Sequence, residues 1–203
     1  MRRARQSPQL RTCCCIYLTK LLFCCAANCI PLLIQQNVDG SDSFNRSWAE
    51  FKVGFKDSRG NFWLGNDLLH QLTTNGRYKL RFDLQARSGS WVYAEYGWFI
   101  VTSEATNYLI HVSGYSGNAG GGGFANHDGM MFTTYDRDND PWIYDNAKYR
   151  NNCALYNGGG FWYKKCAQAS VNSMRGRGED FRWLANRLRR NLMLQKTRMW
   201  LTC

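Results

Sequence analysis

The chain has 203 residues, enough for one full-sized domain, and its 15% aromatic content and 19 glycines suit turns and short elements rather than a helical bundle. The formal net charge is +11, but the basic residues gather at the two ends, Arg2 to Lys20 and Arg175 to Arg198, around a nearly balanced middle. Such a distribution does not by itself make a nucleic-acid binder, and none is expected as a partner. Of the nine cysteines, six lie between Cys13 and Cys29, two are Cys153 and Cys166, and Cys203 is the last residue. The odd total leaves at least one thiol free or joined to another chain.

Residues 1–12 are basic and polar, and residues 13–34 are mostly apolar. A basic start before an apolar run resembles a secretory signal peptide or a signal anchor at the membrane, with small residues that suit cleavage before Asn28. Lys20 interrupts the run, and a gene-model artefact or a buried start to the domain are the other readings. The expected division is therefore a segment 1–34 and a domain 35–203. Ser47 and Glu50 have the spacing of a capping box, which predicts a short helix through Val53 with Trp48 and Phe51 on one side. Asn66 is a second N-cap candidate, with Leu68, Leu69 and Leu72 as the apolar face of a helix over 66–72. Asn45-Arg46-Ser47 is an N-glycosylation sequon, making Asn45 an acceptor site in a secreted chain.

Tyr78, Leu80, Phe82 and Leu84 alternate with Lys79, Arg81 and Asp83, the pattern of a half-buried strand. Trp91–Val101 and Tyr108–Val112 read as further strands, with turns at Ser88-Gly89-Ser90 and Thr106-Asn107. Residues 114–123 form a glycine-rich loop that matches neither a dinucleotide fingerprint nor a P-loop. His70, His111 and His127 are scattered, without a nucleophile or metalloprotease spacing nearby, and the acids form no catalytic pair. An enzyme is not indicated. At the end, Leu184, Leu188 and Leu192 follow helical spacing among arginines. That spacing allows a basic amphipathic helix for a polyanion or anionic membrane, while a solvated surface element is the plainer reading.

The chemistry gathers between Met131 and Cys166. Asp136, Asp138 and Asp140 stand at every second position, and alternate acids before a turn can converge oxygen atoms on a hard cation such as calcium. A solvated acidic turn is the other reading. An EF-hand is excluded, because Pro141 and Ala147 stand where that loop needs Gly and Glu. Cys153 and Cys166 bracket a short loop holding Gly158, Gly159, Gly160, Phe161, Trp162 and Tyr163. They are a local disulfide pair or separate thiols. The Phe-Trp-Tyr cluster, with Tyr156 and Asn157, is a candidate surface for stacking on sugars or anchoring a protein, although such clusters are more often core.

These words resemble the fibrinogen C-terminal domain, the recognition module of fibrinogens, ficolins, tachylectins, tenascins and angiopoietins. The matching stretches, in family order, are 38–41, 44–48, 62–66, 69–73, 115–120, 132–134, 136–140, 153–154 and 162–166. The resemblance runs from about Leu33 to Leu201, and the family's first segment, with its own disulfide, has no counterpart. It implies an α+β fold of mixed or antiparallel sheets, short helices and long loops, and a disulfide between Cys153 and Cys166. It also implies a calcium site in which Asp138 and Asp140 give side-chain ligands and Trp142 and Tyr144 give carbonyls. Asp136 is expected to hydrogen-bond within the turn instead. The positions that line an acetyl-binding pocket in lectins of the family hold Asn157, Ala167, Arg177 and Gly178 here, so that pocket does not carry over. For the tail, the resemblance implies that 192–201 pairs as a strand. The function implied is extracellular, calcium-dependent recognition of glycan or protein ligands, lectin-like or adhesive, by a chain that can form a homo-oligomer. A matrix or receptor-binding domain is the alternative.

Overall fold

The computed structural model describes residues 30–203 except 121, 122, 144–150, 167, 179 and 185–190, and the backbone of two short strands before them. The chain divides into two compact units, residues 1–30 and 31–203. In the first, β1 (Cys15–Leu18) pairs antiparallel with β2 (Leu21–Cys24). The stretch expected as a leader or anchor is thus a hairpin where it is described. Among the described residues, no helix is long and apolar enough to cross a membrane.

The second unit begins at Pro31, four residues before the boundary expected from composition. The reason is β3 (Leu32–Asn37), whose Leu32, Leu33 and Ile34 come from the apolar run but pair in the main sheet. After it come α1 (Trp48–Val53), β4 (Phe55–Lys56), β5 (Phe62–Trp63) and α2 (Asn66–Asn75). The capping box at Ser47 and Glu50 is formed in full, and Trp48 and Phe51 are buried as expected. The second helix runs three residues further than its leucine pattern indicates, to Asn75. Its N-cap is Gly65 rather than Asn66, whose side-chain oxygen instead accepts a hydrogen bond from the Trp63 indole N–H at 3.1 Å.

Next come β6 (Lys79–Ala86), β7 (Trp91–Val101) and β8 (Ile110–Gly117). The alternation of β6 is complete, with Leu80, Phe82, Leu84 and Ala86 all buried. Strand β8 starts two residues later and ends five residues later than expected. Tyr108 sits in a left-handed turn with φ 50°, its hydroxyl donating to Asp67. The glycine-rich stretch begins as strand because Gly114 opposes the backbone of Gly97, where neither residue has a side chain. A short helix α3 (Cys153–Asn157) and β9 (Arg182–Leu184) precede the last strand, β10 (Asn191–Thr202).

The large sheet has the order β4-β5-β3-β10-β6-β7-β8, with β9 paired to β10 off this path, and among the described residues its strand pairings are antiparallel. The chain's end therefore lies in the middle of its sheet. Leu194, Met199 and Leu201 are buried, as the strand reading of the tail requires. The amphipathic helix is overturned: Leu184 lies in β9 and Leu192 in β10, and residues 185–190 fall outside the described residues. Long-range pairing on both edges of β10 outweighs local leucine spacing. On the inner face, Phe51, Trp63, Phe132 and Trp162 pack with ring centroids 5.0–5.8 Å apart.

Candidate functional site

The segment after Phe132 is held to the core by an antiparallel bridge. Thr133 and Phe161 exchange both backbone hydrogen bonds, at 2.9 and 3.1 Å. Thr134 and Arg137 close a tight turn, which sends the chain back over its own start. Asn139 faces inward, donating from its side chain to the Phe132 carbonyl at 2.7 Å. Alternate residues then point the other way, so Asp138 and Asp140 lie together. Asp136 is turned aside, accepting from the Trp48 backbone N–H at 2.9 Å and the Thr134 hydroxyl at 2.7 Å. It ties the loop to the start of α1, besides serving the turn.

Asp140 is the pivot. Its two oxygens accept from the backbone N–H groups of Trp142 and Cys153, each at 3.0 Å, linking the loop to the first residue of α3. Burial, and then the charge of Asp138 beside it, push its carboxyl up to about 7, against the two N–H groups that favour the ionised form. Each oxygen keeps a lone pair beyond its backbone bond. Two adjacent carboxylates, one of them ionised only at a cost, are a donor set that a hard cation satisfies, so these residues fit calcium. Among the described residues there is no cluster of three or more His, Cys, Asp or Glu, so carbonyls and water would complete the shell. Trp142 is tied to the pair through its backbone N–H on Asp140, whereas Tyr144 lies outside the described residues.

Asn152 is the residue the motifs did not single out. Its side-chain oxygen caps α3 by accepting from Leu155 N–H at 2.8 Å, while its amide donates to the Thr134 carbonyl at 3.0 Å. An Asn immediately before Cys153 was a legible N-cap signal. The disulfide between Cys153 and Cys166 is formed, with Cα atoms 5.0 Å apart, and Cys203 is also disulfide-bonded. The three glycines serve close packing. Gly158 ends α3 at φ 72°, and a Cβ on Gly159 would stand 2.1 Å from the Asn172 carbonyl oxygen.

The aromatic cluster is corrected. Phe161 is 1% exposed and Trp162 and Tyr163 are fully buried, as is Asn157, so none presents a face to a ligand. The bridge to Thr133 turns these rings inward. The Trp162 indole donates to the Tyr108 carbonyl, the Tyr163 hydroxyl to the Gly159 carbonyl, and the Asn157 amide to the Cys153 carbonyl. Tyr156 alone of the five reaches the surface, half-buried against the ring of Trp142 at 5.3 Å. Gly178 packs on the Tyr156 carbonyl and Asn157, and Arg177 lies over Gly158. These substituted pocket positions do converge, while Ala167 lies outside the described residues.

Comparisons with known proteins agree with this arrangement. The family model for the C-terminal globular domain of fibrinogen beta and gamma chains matches residues 23–200. The human fibrinogen alpha chain is 43% identical over 157 residues, covering 70% of this chain and 17% of that protein. Bovine fibroleukin is 41% identical over 144 residues, covering 69% of this chain and 31% of that protein. The chain thus spans less than a third of the length of these relatives. The fibrinogen-like globe domain of human ANGPTL2 superposes with a TM-score of 0.73 at 36% identity, over 84% of this chain and 79% of that one. Lamprey fibrin D-dimer, solved with the peptide ligand Gly-His-Arg-Pro-amide, gives 0.70 at 29% identity, over 93% and 63%. With its antiparallel sheet, its acidic loop and its disulfide-closed turn in family order, the chain belongs to the fibrinogen C-terminal domain family.

Proposed function

We propose that this chain is a non-enzymatic, extracellular recognition module whose disulfide loop is ordered by calcium and binds a protein, peptide or glycan ligand. The observation that carries this reading is the Asp138–Asp140 pair, in which Asp140 is set against the first residue of α3 and is raised in pKa where a cation would relieve it. The ion would fix the acidic loop against Cys153, and so fix the Trp142–Tyr156 rim beside it. The disulfide suits an oxidising compartment, and Asn45 is exposed, as a glycan acceptor must be. A peptide is a ligand of the lamprey relative, which favours peptide or protein partners at least as much as glycans.

The test is ligand capture by the secreted, oxidised protein on glycan and peptide arrays, with calcium and with chelator. Binding that disappears on chelation supports the reading. Equal binding in both conditions, with no thermal shift on adding calcium, refutes it.

A further inference from the structure

The solvent side of the sheet carries a second surface, away from the disulfide loop. Along β10, Lys196, Arg198, Trp200 and Thr202 point outward while Thr197, Met199 and Leu201 are buried. Their cross-strand partners on β6 are Gln85, Asp83, Arg81 and Lys79, and the next partners on β7 are Trp91, Tyr93 and Glu95. The result is a flat three-strand grid of aromatics and cations. The Arg81 guanidinium lies 4.4 Å from the Tyr93 ring centroid, and that of Arg198 lies 5.4 Å from the Trp91 ring, which is 44% exposed. Beside them Pro31, Trp200 and Thr202 line a shallow groove of about 330 Å³.

The charges decide what fits. Asp83 is engaged by Arg81 at 2.9 Å and by the Trp200 indole N–H at 2.9 Å, and Glu95 lies 3.8 Å from Lys79. Among the described residues, no carboxylate lies within ion-pair distance of Lys196 or Arg198. Arg198 donates only to a neutral partner, the Gln36 side-chain oxygen at 3.0 Å, so two unneutralised cations flank an exposed indole on one face. A second copy of the chain in a two-fold contact would set these like charges against each other. Two cations without an ion-pair partner are also far fewer than the roughly 6–10 phosphate contacts that make DNA binding strongly salt-dependent. Flat rings beside cations that no carboxylate neutralises suit an alternation of apolar ring faces and anionic groups.

We infer that this outer sheet face binds an acidic polysaccharide, with sugar rings on Trp91 and Trp200 and sulfate or carboxylate groups on Lys196 and Arg198. The surface is independent of the calcium loop, so chelator leaves its binding unchanged. It also gives the basic tail a role that a helix would have performed differently, through side chains presented on alternate positions of a strand.

The probe is a size-defined heparin oligosaccharide, with hyaluronan of equal length to separate sulfate from carboxylate recognition. The Lys196→Gln/Arg198→Gln double variant is expected to bind about tenfold more weakly and Trp91→Ala about threefold, the order of exposed cation and aromatic contacts. Trp98→Ala is the control. It is 53% exposed on the same strand, but stacked on His111 seven residues along, and it leaves affinity unchanged. Thermal unfolding checks the fold of each variant, and Lys196→Gln alone keeps the test open if the double variant is unstable. The proposal is overturned if the charge variants bind heparin like wild type, if Trp98→Ala weakens binding as much as Trp91→Ala, or if a DNA oligonucleotide of equal charge binds as tightly.

Discussion

His127 shows how completely a single polar residue can be absorbed by this fold. Its Nδ1–H donates to the Trp162 carbonyl, and its Nε2 accepts from the backbone N–H groups of Gln168 and Ala169, both at 3.3 Å. That arrangement requires the neutral ring. Full burial, with Lys164 adding repulsion, lowers its pKa from 6.5 to about 4. A depressed folded-state pKa contributes stability that is present above 6.5 and is lost as pH falls toward 4. The loss is on the order of 3 kcal/mol, at 1.36 kcal/mol per unit. Urea unfolding of wild type and His127→Gln between these pH values isolates it. The wild-type curve is expected to fall and the variant's to fall less, so parallel curves would count against the assignment.

The aspartates separate at the same scale. Asp138→Ala is expected to abolish the calcium-dependent rise in melting temperature, with little change in chelator. Asp136→Ala is expected to keep that rise but lower stability in both conditions by about 1–2 kcal/mol, because it strips an acceptor from Trp48 N–H and Thr134. The affinity is expected in the extracellular range of roughly 10⁻⁴–10⁻³ M, so the calcium series must extend above it.

Among the elements, α1 is set by local chemistry. Ser47 and Glu50 satisfy each other's backbone N–H groups, and Ser47→Ala is expected to cost about 1 kcal/mol by chemical denaturation. The disulfide loop is set from both sides. It closes α3 covalently while Asn152 and Asp140 bind the loop to its neighbours. Replacing both Cys153 and Cys166 by Ser is expected to cost about 3 kcal/mol in the chain-entropy account, read as a fall in the urea midpoint. It should also weaken the calcium response, since Asp140 rests on the backbone N–H of Cys153.

For the whole molecule, β10 is the decisive element. It pairs with β3 on one side and β6 on the other, so the last residues join the first strand of the domain to its middle. Removing residues 191–203 would leave two half-sheets with open edges and expose Leu194, Met199 and Leu201. Such a truncation is expected to lose cooperative unfolding altogether, which circular dichroism and calorimetry would register. A truncated chain that still melted in one sharp transition would show that the two halves fold without this strand.

The sequence by itself determined what depends on near neighbours. The capping box, the alternation in β6 and the bounds of β7 follow from side chains a few residues apart, which act through local hydrogen bonds or one face of one strand. The order of the family motifs was equally legible, and with it the pairing of Cys153 and Cys166. Tertiary structure decided the rest. The run Phe161, Trp162 and Tyr163 carries no sign of which way it faces, and the bridge to Thr133, far back in the chain, turned it inward. The leucines at 184 and 192 allow a helix, but β9 and the start of β10 pair with each other, and β10 continues between β3 and β6. Tyr108 has strand chemistry, but its hydroxyl is claimed by Asp67 on α2, which favours the turn. For Phe161 and Tyr108 the deciding partner lies tens of residues away, where spacing along the chain holds no information about distance in space; for β10 it is the long-range pairing with β3 and β6 that extends the local ladder.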